Sequence, residues 1–147
     1  MSFGQFARLN QTIEHRTPTS TIQQISKSWD DIEDKMAFIQ ILDMAYPMNN
    51  LGNKKAIKWV TQALGVFEEE VKTQVNIHMD LGEGIYYFAD EKEDSNLSLK
   101  GVFLLLSMDC GKMTKSNFSV FEESFNKMSK AEKKWFLRYW TRKPRNG

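Results

Sequence analysis

The stretch Ser129–Gly147, SKAEKKWFLRYWTRKPRNG, decides how the rest of the chain is read. Ser129 followed three residues later by Glu132 forms a capping box, a pair that satisfies the orphan backbone donors of a helix start reciprocally. The spacing therefore predicts a helix beginning here. Trp135, Phe136, Tyr139 and Trp140 supply enough apolar area to anchor that helix on a core. Lys130, Lys134, Arg138 and Arg142 recur every four residues, which would make one cationic ridge about 18 Å long at 1.5 Å rise per residue. Like charges at that spacing cost an isolated helix a few tenths of a kcal/mol per pair, so the ridge calls for an offset from outside the helix. Pro144 stops the helix and leaves Lys143, Arg145, Asn146 and Gly147 as a basic exit.

Working outward, ten of the chain's 20 lysines and arginines fall between Lys112 and Gly147, against three of its 19 acids. That segment carries about +7 and the remainder about −6, a split hidden by the overall charge of +1. Charge asymmetry of this kind points to a polyanionic partner, and a solvated basic face is the alternative reading of the same residues.

At 147 residues the chain fits one domain with a real core, and 41% apolar against 27% charged residues is an ordinary balance for a globular protein. No apolar run approaches the roughly 20 residues a membrane span needs. The start, MSFGQFARLN, lacks the charged and apolar regions of a secretory signal, so a cytoplasmic location is expected. Cys110 is the one cysteine and reads as a small core residue in a reducing compartment. The Asn-x-Ser/Thr triplets at Asn10, Asn96 and Asn117 are then chance matches.

Few glycines and prolines, placed between periodic segments, favour an all-α domain. Phe3, Phe6, Leu9 and Ile13 describe a first amphipathic helix ending near Pro18. A short helix over 19–27 with Ile22 and Ile25 inward follows. A third begins at Ser28, Asp30 and Asp31, with the stripe Ile32, Met36, Ile39, Leu42 and Met44, and closes at Tyr46-Pro47. Leu51-Gly52-Asn53 turns into a helix that carries Lys54, Lys55 and Lys58 and ends at Gly65. Glu68, Glu69 and Glu70 suit the start of the next helix. After Asp80-Leu81-Gly82-Glu83-Gly84 and Ile85 to Phe88, the acidic loop Asp90 to Asp94 separates two halves. Leu97 to Met108 reads as a buried helix or a strand, and periodicity alone leaves both open. Gly111 to Lys115 is a basic turn, and Phe118, Phe121, Phe125 and Met128 form the inward face of the penultimate helix.

Catalytic chemistry finds little support. Gly111-Lys112-Met113-Thr114 imitates the end of a P-loop, but Leu106 stands where its first glycine belongs. His78 and Asp80 lack further metal ligands at matching spacing. His15 and His78 leave general acid–base catalysis few groups. What recurs is a set of turns rich in Gly, Asn, Ser, Thr and Lys at helix starts: Gly52 to Lys55, Asn96 to Lys100 and Gly111 to Ser116, followed by the exit Arg142 to Gly147. Cations and backbone N–H groups at a helix start make a phosphate cradle, although cations there oppose the macrodipole by a few tenths of a kcal/mol each. Backbone amides, hydroxyls and Lys/Arg side chains bind phosphates without reading bases.

The order of these motifs resembles the N-terminal DNA-binding domain of ATP-dependent DNA ligases, especially the archaeal and viral type, over Phe6 to Gly147. The resemblance rests on Leu51-Gly52 with Ile57-Lys58, the Asp80-Leu81-Gly82-Glu83 turn, Leu97-Ser98-Leu99-Lys100 with Val102-Phe103, the turn Gly111 to Lys115, and Arg142 to Gly147. It implies an all-α, compact multi-helix domain of two pseudo-symmetric helical halves that grips the minor groove of nicked double-stranded DNA. The chain is then one DNA-binding domain over 1–147, a monomer without membrane contact, whose partners are the DNA and the nucleotidyltransferase and OB-fold domains of the same ligase. ATP and magnesium are implied for the full-length ligase and no cofactor for this domain. The Lys-x-Asp-Gly signature whose lysine takes AMP is absent, so the chain alone is expected to be inactive, and Pro144 departs from the helical continuation expected of the family. The resemblance and the turns together assign phosphate contacts to Lys54, Lys55, Lys58, Ser98, Lys100, Lys112, Thr114, Lys115, Arg142 and Arg145. A rival reading is a protein-interaction module that exposes Trp135, Tyr139 and Trp140 as a docking patch.

Overall fold

The computed structural model describes residues 1–14, 16–43, 53–108 and 114–141, Asn53 by its backbone alone. The described residues form an all-α domain: α1 (Phe3–Ile13), α2 (Pro18–Ser28), a 3₁₀ turn (Trp29–Asp31), α3 (Lys35–Leu42), α4 (Asn53–Leu64), α5 (Glu68–His78), α6 (Leu81–Phe88), α7 (Leu99–Leu106), α8 (Lys115–Lys127) and α9 (Lys130–Trp140). Among them, no helix is long and apolar enough to cross a membrane. Helix starts are chemically marked. Ser2, Thr17, Asp34, Asp80, Ser98, Thr114 and Ser129 each accept a backbone N–H of the helix they precede, an interaction worth about 1 kcal/mol apiece.

The capping box at Ser129 and Glu132 is present, and α9 is the element around which the others pack. Trp135, Phe136 and Leu137 are fully buried and Tyr139 and Trp140 nearly so. Trp140 packs on Trp59 of α4 and Phe121 of α8, with ring centroids 5.9 and 4.8 Å apart. Tyr139 packs on Phe6 of α1 and donates its hydroxyl to Asn10 Oδ1 at 2.6 Å. Truncating any one of these aromatics to alanine would cost roughly 3–5 kcal/mol. Their burial overturns the reading of Trp135, Tyr139 and Trp140 as an exposed docking patch.

Three further expectations are corrected. Ile22 is exposed, because α2 lies on the surface and buries no residue fully. The third helix starts at Lys35 behind the Asp34 cap, seven residues after Ser28, and its inward face is Ala37, Phe38 and Ile41. Met36 and Ile39 therefore point outward, while Ile32 reaches the core from the extended segment before the helix. Met44 and Tyr46-Pro47 lie outside the described residues. Residues 99–106, left open between helix and strand, are helical. α4 ends before Gly65 at φ +67°, where the sequence placed its end.

Candidate nucleic-acid interface

The middle of the cationic ridge of α9 does not face solvent. Lys134 and Arg138 are buried, and three carboxylates from other helices surround them. Arg138 donates Nε to Asp80 Oδ2 at 2.8 Å and Nη1 to Glu14 Oε1 at 2.6 Å, and Nη2 lies 3.4 Å from Glu83 Oε2. Lys134 Nζ sits 2.9 Å from Glu83 Oε2 and donates to Gln11 Oε1 at 2.8 Å. This is the external offset that the four-residue spacing required, and it comes from α1 and α6 rather than from a ligand. Burial alone would raise the Glu14 carboxyl, but the Arg138 hydrogen bond and charge, with Lys134 behind them, hold it below the usual carboxylate range. Burial would likewise lower Arg138, and its hydrogen bond to Glu14 and the charge of Asp80 raise it instead.

The Asp80-Leu81-Gly82-Glu83-Gly84 turn is the matching half of that fastener. Asp80 caps α6 by accepting from the N–H groups of Gly82 and Glu83, both at 3.3 Å. A Cβ on Gly82 would stand 2.6 Å from the Lys134 carbonyl oxygen, and one on Gly84 would stand 3.2 Å from the α5 backbone at Gln74 and Val75. Gly82 is needed for the close approach of the α9 backbone, and Gly84 sits tightly against α5. The sequence carried a signal for this pairing: carboxylates at 80 and 83 and cations at 134 and 138 have the spacings that put each pair on one helix face.

With Lys134 and Arg138 occupied, the exposed cations lie elsewhere. α4 and α8 run side by side with the same polarity, since Trp59 packs on Phe118 and Phe121, and four residues further along α4 the Ala63 carbonyl accepts from Asn126 Nδ2 at 3.2 Å. Their N-termini therefore share one end of the domain. Lys54 and Lys55 are exposed in the first turn of α4 and Lys58 is exposed one turn further, while Ala56, Ile57, Trp59 and Val60 face the core. At the neighbouring start of α8, Thr114 is an exposed cap that accepts from Asn117 N at 3.1 Å, and Lys115 is exposed beside it. Neither helix has an acid in its first turn to satisfy the positive end of its dipole. α9 runs antiparallel to α8, pairing Phe136 with Phe125 and Trp140 with Phe121, so it terminates at this same end.

Ser98 and Lys100 are exposed at the start of α7. Ser98 caps that helix by accepting from Gly101 N at 3.0 Å, and it bridges to Ser2. They stand at the N-terminal end of α7, an eight-residue helix about 12 Å long. The structure thus gathers Lys54, Lys55, Lys58, Thr114 and Lys115 at one end, while Ser98 and Lys100 belong to a different helix start. Lys112, Arg142 and Arg145 lie outside the described residues.

No group of three or more His, Cys, Asp or Glu side chains that could hold a metal occurs among the described residues. What the gathered end offers is backbone N–H groups, a hydroxyl and ammonium groups, which suits phosphate oxygens rather than base edges. None of the curated proteins matches the chain. Residues 2–147 match the family described as DNA ligase N terminus, and the chain belongs to that family, with a role in DNA ligase function.

Proposed function

We propose that this domain binds double-stranded DNA flanking a nick, through the sugar–phosphate backbone across the minor groove. In this reading it serves nick sealing by an ATP-dependent ligase in replication, repair and recombination. The observation that carries the reading is the pair of parallel helix starts with exposed Lys54, Lys55, Lys58, Thr114 and Lys115, within a chain of the ligase N-terminal family. Ser98 and Lys100 would reach further phosphates, and Lys112, Arg142 and Arg145 keep the role the sequence suggested. Contacts of this kind position a duplex without reading it, and the minor groove carries a degenerate code, so sequence preference is slight. Adenylylation and phosphodiester formation belong to the ligase's other domains, with ATP and magnesium, because this chain has no Lys-x-Asp-Gly lysine.

Fluorescence anisotropy of a labelled nicked duplex, titrated beside an intact duplex and a single strand at several salt concentrations, tests the proposal. Duplex binding that weakens steeply with salt, with a log–log slope near −0.9 per phosphate neutralised, is the expected result. Absence of duplex binding at low salt refutes it.

A further inference from the structure

We infer, resting on the duplex binding proposed above, that Asn126 is a positioning residue for that contact. From the far end of the α4–α8 pair it sets how far one helix sits along the other, and with it the spacing between the lysines of α4 and Thr114 and Lys115 of α8. Asn126 lies about 16 Å along α8 from Lys115, and Ala63 about 12 Å along α4 from Lys55, so this side chain acts from outside the proposed contact. Trp59 meets Phe118 and Phe121 with ring centroids 6.0 and 5.4 Å apart, and Trp140 packs on both Trp59 and Phe121. Burial of such surface draws the helices together but is non-directional. A hydrogen bond is directional, and Asn126 Nδ2 donates to the Ala63 carbonyl at 3.2 Å, across 63 residues of sequence.

Both ends of that bond are held. Ala63 sits in the last turn of α4, whose terminal carbonyls have no partner inside the helix, and the chain leaves the helix at Gly65 with φ +67°. The Thr61 carbonyl accepts from the N–H groups of Gly65 and Val66, and Asn126 satisfies that of Ala63. Asn126 is fixed in turn at the end of α8. Its own carbonyl accepts from Lys92 Nζ at 2.5 Å, and two residues on the Met128 carbonyl accepts from Lys133 Nζ at 2.6 Å. Lys92 belongs to the loop between α6 and α7, so side-chain donors run from that loop to the end of α8 and from there to the end of α4. Phosphate recognition makes the register matter. A donor bonds a phosphate oxygen at about 3 Å, so a slide of one residue, about 1.5 Å, takes one helix start off its phosphate while the other stays engaged.

The test compares the 147-residue chain with Asn126→Leu, which keeps the side-chain volume and removes the donor without changing charge, and with Asn126→Ala, which removes the donor without adding bulk. Titrations of a nicked duplex at several salt concentrations should show at least about fivefold weaker binding by both variants, the worth of one net hydrogen bond. The log–log salt slope should fall by about 0.9, one phosphate fewer, although no cation has been removed. In NMR spectra of the isotope-labelled chain without DNA, cross-peaks between the Trp59 indole and the Phe118 and Phe121 rings should change in relative intensity while urea unfolding stays cooperative. Unchanged cross-peaks, or weaker binding at an unchanged slope, would mean that Asn126 supports the fold without setting the register, and either overturns the inference. The cross-peaks are read without DNA, which separates the two failures. A wild-type chain that binds no duplex refutes the proposed function and leaves the register role standing, whereas duplex binding that both variants retain in full refutes the positioning role alone.

Discussion

Arg138 Nε meets Asp80 Oδ2 at 2.8 Å, and the same carboxylate caps α6 through the backbone N–H groups of Gly82 and Glu83. One side chain therefore terminates a helix and holds the central helix against it. Arg138 and Asp80 are both nearly inaccessible, so removing either leaves a charge without its partner in a poorly solvated place. Arg138→Ala should lower stability by about 3–5 kcal/mol in urea unfolding. Arg138→Met, which keeps the apolar stem, together with Asp80→Asn should lose less than the two single changes combined. Additivity in that cycle would show that the pair is not coupled.

Gly82 makes a second, sterically defined prediction. Alanine there sets a Cβ 2.6 Å from the Lys134 carbonyl oxygen, which is backbone and can yield only if α9 moves. Gly82→Ala should cost about 1–3 kcal/mol, the usual range for overpacking. Gly84→Ala meets its neighbours at 3.2 Å and should cost less, the more so because alanine is favoured over glycine inside a helix. Thermal unfolding of the two variants side by side checks the order; the reverse order would mean that α5 and α6 are the tighter pair.

Much of the architecture was legible because it is written in local chemistry. The capping box at Ser129 and the apolar spacing of α1 and α8 mark helices whatever surrounds them. The fate of Lys134 and Arg138 was not legible in the same way, because Glu14 and Asp80 lie 124 and 58 residues from Arg138 in sequence. Four-residue cation spacing is equally a solvated ridge, a ligand site or half of an ion-pair fastener. On α3 the ambiguity was one of phase: Met36 and Ile39 lie on one face and Phe38 and Ile41 on another, both apolar, and only the cap at Asp34 and the packing of Phe38 against Phe6 and Trp29 select the second. The candidate interface was half legible, since exposed lysines at helix starts can be named from sequence, whereas the parallel course of α4 and α8 that unites them depends on Trp59 meeting Phe118 and Phe121.

Two groups make the stability of the domain rise with pH, each in its own window. Glu14 has a folded pKa below its ordinary 4.5, so its contribution is present at neutral pH and is lost as pH falls through the folded value. Lys133 acts on the alkaline side: burial, then the charge of Lys92, bring its ammonium down from 10.5 to about 8, while its Nζ donates to the Met128 carbonyl at 2.6 Å. Between about 8 and 10.5 the unfolded chain holds a proton that the folded chain has released, so stability from this residue rises with pH across that window. Urea midpoints measured from about pH 3 to about pH 10 should fall on the acid side and show an alkaline gain that Lys133→Met removes. An alkaline profile identical in the variant would show that Lys133 is not the group responsible.

Tryptophan emission reports the same core. Trp59, Trp135 and Trp140 are 2, 0 and 3% exposed, and Trp29 is half-buried with Lys35 5.3 Å from its ring centre. Acrylamide should quench the native protein weakly and the unfolded protein strongly, with Trp29→Phe removing most of the native quenching. Strong quenching that persists in Trp29→Phe would place the α9 indoles in solvent and restore the docking-patch reading.

The proposed DNA contacts divide into two sets that can be tested apart. Lys58 and Lys115 are exposed at the shared end of α4 and α8, away from the carboxylate cluster around Arg138, so their reversal should leave the fold intact. Lys58→Glu/Lys115→Glu should weaken duplex binding and reduce the salt slope by about 0.9 for each phosphate that the variant no longer neutralises. Lys100→Glu acts at the start of α7, a different helix start. If the two groups meet different phosphates, their effects on binding free energy add. Anisotropy titrations of the two variants and their combination at several salt concentrations decide the matter. Additive weakening means that a duplex lies along both sets. Weakening confined to Lys58→Glu/Lys115→Glu limits the contact to the α4–α8 end, and unchanged binding in every variant would leave the described cations without a part in holding DNA.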